Sequence, residues 1–108
     1  MNISSTSVAR DPEGYLLDLS DWSESLAQAW AEEKGLTLTP AHWEILYLLR
    51  DFYQEYQHSP AMRPLCKAIA QKLGTDKGRS IYLLQLFPGS PAKLAAFLAG
   101  LPKPDNCL

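Results

Sequence analysis

The stretch TPAHWEILYLLRDFYQEYQ, residues 39 to 57, constrains this chain more than any other. Thr39 is a helix cap and Pro40 suits the first helical position, where its missing N–H is not needed. Trp43, Leu46, Tyr47, Leu49, Phe52, Tyr53 and Tyr56 recur at spacings of three and four, the period of one helix face. Ile45 and Leu48 widen that stripe. So broad an apolar face needs other elements packed around it, so the helix is expected to be the central one of a bundle.

The remaining segments supply partners for it. Ser20 is expected to cap a helix carrying Trp22, Leu26, Ala29 and Trp30, which Gly35 ends. HSPAMRP breaks the chain, Pro64 restarts it, and Leu65, Ile69 and Leu73 form a face before Gly74. Asp76 is expected to cap a helix through KGRSIYLLQLF, which Pro88 and Gly89 break. Ser90-Pro91 repeats the cap-plus-proline signal, and Gly100 closes a last helix. At the other end, ISSTSVA (3–9), the turn DPEG (11–14) and YLLDL predict a β-hairpin leaning on the helices. LPKPDNCL, from Leu101 on, has no period, and its two prolines favour extended backbone. The expected fold is mainly α. It is a small helical bundle with helix-turn-helix pairs of winged-helix type, an N-terminal β-hairpin and an extended C-terminal arm. Residues 1–100 form the domain and 101–108 a flexible arm. The 108 residues are enough for one core without disulfides or metals.

Charge and composition remove several functions. The formal net charge of −2 argues against binding driven by phosphate neutralisation, so no specific DNA binding is expected. No apolar run approaches a membrane span, and MNISSTSVARD lacks a secretory pattern, which points to the cytoplasm, where thiols stay reduced. Cys66 and Cys107 have no CxxC spacing, and His42 and His58 are remote from both in sequence. No metal site and no cofactor are expected.

Cys107 stands in a proline-containing tail with almost nothing to pack. From Leu101 to Leu108, at ~3.3–3.6 Å per residue, the tip extends roughly 25–29 Å. An arm of that length carries a thiol into another protein's active site or folds back on its own domain. The thiolate is the nucleophile. Asp105 and the terminal carboxylate oppose its formation, while Lys103 or a basic patch favours it. On chemistry alone, an incidental exposed thiol and a functional one both stay open.

A resemblance decides between them. DPEGYL (11–16) with Trp22, LTPAHWEILYLLRDFY (38–53), Pro60 with Arg63 and Leu65, KGRSIYLLQLFPGSPAK (77–93) and AGLPKPDNCL (99–108) resemble the DsrC/TusE family of sulfur carriers in order and spacing. In that family the next-to-last residue is the persulfide-carrying cysteine, which Cys107 matches. Members acting in sulfite reduction carry a second cysteine inside the last helix, where this chain has Ala96. The resemblance therefore implies the TusE branch. It implies a carrier, rather than a stand-alone catalyst, that takes sulfur on Cys107 from a TusBCD-type donor complex. The carrier passes it to an MnmA-type tRNA thiouridylase for 2-thiolation of the wobble uridine, contacting tRNA only indirectly. Two rivals stand beside it. One is an accessory protein of dissimilatory sulfur metabolism, which Ala96 disfavours. The other is a helix-turn-helix regulator, which the acidic balance and the tail disfavour.

Other residues read two ways. Cys66, beside Leu65 and Ile69, is expected to pack as a small hydrophobe. Arg63 and Lys77, with Arg79, form either a cationic patch binding the arm or solvated helix-end charges. Gly78 suits a close backbone approach or a tight turn. His42 is expected to cap or half-bury, with general acid–base work as the alternative, and His58 to lie in a loop. Trp22, Trp30 and Trp43 read as packing anchors.

Overall fold

The computed structural model describes residues 8–105. Among them are five α-helices: α1 (Glu24–Glu33), α2 (Pro40–Tyr56), α3 (Met62–Leu73), α4 (Ser80–Leu86) and α5 (Pro91–Leu98). A single 3-10 turn, Leu19–Asp21, precedes α1. None of these helices is long and apolar enough to cross a membrane.

α2 is the longest helix and begins at Pro40 as expected. His42 holds its first turn: Nδ1 accepts from the Thr39 backbone N–H at 3.1 Å, and Nε2 donates to the Leu86 carbonyl at 2.7 Å. This pairing assigns the proton to Nε2 and ties α2 to the end of α4. His42 is buried against the Phe87 ring at 5.1 Å. It is a structural cap rather than an acid–base group. Gln57 closes α2 in the left-handed region at φ 59°.

The central helix, however, is α5. It packs against α1, α2, α3 and α4. Pro91, Ala92, Ala95, Ala96, Phe97 and Leu98 are all buried. A helix that is apolar all round belongs in the middle of a fold, whereas the stripe on α2, however broad, leaves a solvent face. Phe97 stacks on Trp30 of α1 at 4.8 Å, and Tyr15 meets the same ring edge-on at 5.8 Å. Ile45, Leu46 and Leu49 of α2 close the core with Leu65, Ile69 and Leu83.

Several expected starts move. Ser20 does not cap α1; it lies in the 3-10 turn, bonded to Asp18, and Ser23 caps α1 by accepting from the Leu26 N–H at 3.1 Å. The shift frees Trp22 from the helix to bond elsewhere. Asp76 lies in a turn, and the next helix starts only at Ser80. α3 starts at Met62, so Pro64 occupies its first turn, where no N–H donor is required. Ser90 precedes α5 without a side-chain cap bond.

Of the N-terminal hairpin, residues 3–7 lie outside the described residues. What is described is a tight turn with one antiparallel bridge, Arg10 to Leu16, closed by the Leu17 N–H to the Ala9 carbonyl at 3.1 Å.

Gly100 has φ +75°, and a Cβ there would lie 2.5 Å from Trp22 Cδ1. Gly100→Ala therefore combines left-handed strain of ~1–2 kcal/mol with overpacking of ~1–3 kcal/mol. The expected loss is about 2–5 kcal/mol, or a melting temperature lower by at least about 8 °C. Thermal unfolding followed by circular dichroism measures it.

Candidate functional site

The site is built where α5 ends and the arm begins. The last carbonyls of a buried helix have no partner within the helix and no water to turn to. Here each one is met. The Leu101 N–H donates to Ala96 at 3.0 Å and the Gly100 N–H to Phe97 at 3.3 Å. The Trp22 indole N–H donates to Leu98 at 2.8 Å, and Arg50 Nη1 donates to Ala99 at 2.6 Å. Arg50 also reaches the Leu19 carbonyl at 3.2 Å and stacks over the Trp22 ring at 4.3 Å. A cation suits the negative end of a helix dipole. Burial pulls the Arg50 pKa down, yet a guanidinium stays charged in proteins.

Contacts with the body continue beyond Gly100. Leu101 is buried in the core. Ser59, itself buried, donates to the Pro102 carbonyl at 2.6 Å. Lys103 pairs with Glu13 in the N-terminal turn at 3.1 Å, and Pro104 is buried. The expected boundary at Gly100 is thus not where contact with the body ends. Cys107 lies outside the described residues, three positions past Pro104 in sequence.

The other candidates do not join this cluster through any contact described. Lys77 lies in the turn before α4, where Glu44 of α2 holds its ammonium at 2.7 Å. That hydrogen bond raises the Lys77 pKa. Its charge is largely engaged rather than free. Arg63 is exposed at the start of α3 and makes no ion pair among the described residues; Arg79 is exposed at the start of α4. Gly78 is a close approach: a Cβ there would fall 2.6 Å from the Cys66 carbonyl. His58 is an exposed loop residue against Phe52 at 5.5 Å. Cys66 is half-buried on α3, and desolvation raises its pKa. Arg50 and Ser59 were invisible to pattern reading. Trp22 was read as a packing anchor, but its indole N–H does the more specific work.

The fold defines a small helical domain whose last, buried helix is capped by side chains and hands the chain on to a seated, cysteine-bearing tail. The chain belongs to the family described as DsrC like protein, whose pattern matches residues 2–108. It is 56% identical over 108 residues to the sulfurtransferase TusE homolog of Haemophilus influenzae, spanning 100% of this chain and 99% of that one. It is 52% identical over 101 residues to sulfurtransferase TusE of Escherichia coli K12, covering 94% and 93% of the two chains. Among solved structures, DsrC of Allochromatium vinosum superposes with a TM-score of 0.85 at 50% identity, covering 94% of this chain and 90% of that one. The gamma-subunit of dissimilatory sulfite reductase from Archaeoglobus fulgidus gives 0.79 at 36% identity, covering 94% and 92%.

Because burial raises the Cys66 pKa, less of it is thiolate at a given pH. In the Cys107→Ser protein, iodoacetamide should label Cys66 more slowly than a free cysteine peptide at pH 8. Its rate profile should be displaced to higher pH. Labelling as fast as the peptide would show an open thiol.

Proposed function

We propose that this protein is a cytoplasmic sulfur carrier of the tRNA 2-thiolation relay, with Cys107 as the persulfide site. The observation that carries the reading is the family match running through the tail, with a cysteine at the next-to-last position. The names of the relatives support sulfur transfer as the chemistry. The donor is of TusBCD type and the acceptor an MnmA-type tRNA thiouridylase, so tRNA is reached through the acceptor.

The chemistry needs one thiolate. Cys107 S⁻ attacks the outer sulfur of a donor persulfide. A new S–S bond forms on Cys107, the donor's S–S bond breaks, and the donor leaves as thiolate. An acceptor thiolate then attacks the outer sulfur on Cys107 and restores the Cys107 thiolate. No electrons enter or leave the exchange. A body that stays folded while the tip changes partners suits this role. Residues 1–100 are taken as the domain and 101–108 as the arm that presents Cys107. Arg63 remains a candidate cation for the arm, with Lys77 a weaker one because Glu44 already holds it.

An accessory role in sulfite reduction, by analogy with the gamma-subunit, would require the second thiol for an intramolecular disulfide. Ala96 occupies that position on α5, fully buried. α3 does expose Arg63, Lys67 and Lys72, but α4 carries no basic residue, and a net charge of −2 works against the counterion release that a DNA-binding regulator relies on.

Intact-mass analysis after incubation with a charged donor complex tests the assignment. Wild type and Cys66→Ser should each gain one sulfur, and Cys107→Ser none. A loaded Cys107→Ser protein would overturn it.

A further inference from the structure

The reading of Cys107 as carrier leaves open how far its sulfur travels from the body. Were the arm free beyond Leu101, the thiol would sit on a tether of six residues, about 20 Å at full extension. The contacts at Pro102, Lys103 and Pro104 change that length. With them in place, Cys107 follows the last seated residue by only three positions, about 10 Å.

Each contact is placed to hold the root without being needed for the fold. Ser59 follows the end of α2 and gives its hydroxyl to the Pro102 carbonyl at 2.6 Å, although Pro102 is itself exposed. Glu13 and Lys103 are both substantially exposed and join at 3.1 Å across the surface. Neither contact caps α5, which Trp22, Arg50 and the Gly100 and Leu101 amides already complete. These two bonds act on the arm alone.

We propose that Ser59, assisted by Glu13, is a positioning residue for sulfur transfer: it keeps the arm root seated while Cys107 exchanges sulfur. The inference rests on Cys107 being the carrier. Shortening the free tether from six residues to three raises the effective concentration of the thiol at a partner docked on the body. The gain is roughly threefold if it scales as the −3/2 power of length. It also confines where the partner sits. The partner's reacting sulfur must come within about 10 Å of Pro104.

The test uses the full chain, persulfidated on Cys107, in single-turnover transfer to purified MnmA-type thiouridylase at increasing acceptor concentration. Wild type is compared with Ser59→Ala and with Ser59→Ala/Glu13→Arg, which also turns the Lys103 contact into repulsion. The amide ¹⁵N relaxation of Lys103 reports whether the root is seated. In the variant that frees Lys103, the maximal transfer rate should fall by up to about threefold. Half-saturation by acceptor, alkylation of the unloaded thiol by iodoacetamide and the melting temperature should stay close to wild type. Exchanging the charges, Glu13→Arg/Lys103→Glu, should restore order and rate relative to Glu13→Arg alone. A freed root that transfers at the wild-type rate or faster would overturn the proposal. So would a root that remains seated in both variants, since these bonds would then not hold it. A wild-type protein that neither takes nor passes sulfur would instead refute the carrier reading, and that outcome is seen before any variant is compared.

Discussion

Everything in this structure turns on the end of α5. The helix has eight residues, and six are buried. Burial of that kind stabilises the core but strands the last turn's carbonyls in a place without water, where an unmet acceptor costs ~1–3 kcal/mol. The chain meets them with two amides of its own and two side chains from distant segments, Trp22 and Arg50. These bonds fix where the indole and guanidinium must lie. They also bring Gly100 so close beneath Trp22 that no other residue fits there without strain. The direction in which the chain leaves the core is a by-product of satisfying a helix terminus.

That constraint separates the two cysteines. Cys66 sits on α3 with the α4 turn pressed against its own carbonyl at Gly78, and burial makes its thiol reluctant to ionise. Cys107 stands three positions past Pro104, the last buried residue described. Half-burial and a raised pKa both disfavour Cys66 as a nucleophile.

Much of the architecture was legible because helix punctuation is local. Thr39-Pro40 starts α2 where expected, and Gly35, Gly74 and Gly100 each stand just past a helix end. What was not legible depends on partners far away in sequence. Ser20 and Ser23 are equal as caps on paper; the choice falls to Ser23 because Trp22 must stay extended to reach Leu98, 76 residues away. Arg50 lies within an amphipathic helix, where an arginine normally reads as solvated, and only partners distant in sequence, the Ala99 and Leu19 carbonyls and the Trp22 ring, give it a duty. Ser59 sits in a chain break with no period to interpret. Breadth of stripe favours α2 over α5 as the central helix, although PAKLAAFL, apolar nearly all round, has the signature of a central helix. The tail's importance was legible only through the resemblance, since an isolated thiol near a terminus has no pattern of its own.

The N-terminal turn acquires a purpose from the same geometry. Arg10 stacks on Trp30 at 4.0 Å, which stacks on Phe97 of α5, and Arg10 also bonds the Gly14 carbonyl across the turn at 3.0 Å. Asp11 accepts from the Glu13 and Tyr15 amides at 2.9 and 2.8 Å, which fixes the loop between them. Glu13 is thus held on a turn fastened at one side to the helix that launches the arm. From there it meets Lys103. An exposed ion pair by itself contributes little, a median of ~0–1 kcal/mol, because two long side chains must be ordered to make it. Mounted on a turn whose backbone is already fixed, Glu13 has less freedom to lose. Leu16, two residues past the turn, lies against Gly100 as well. The beginning and the end of the described chain therefore meet at one face, so that the segment before α1 serves as the platform from which the arm departs.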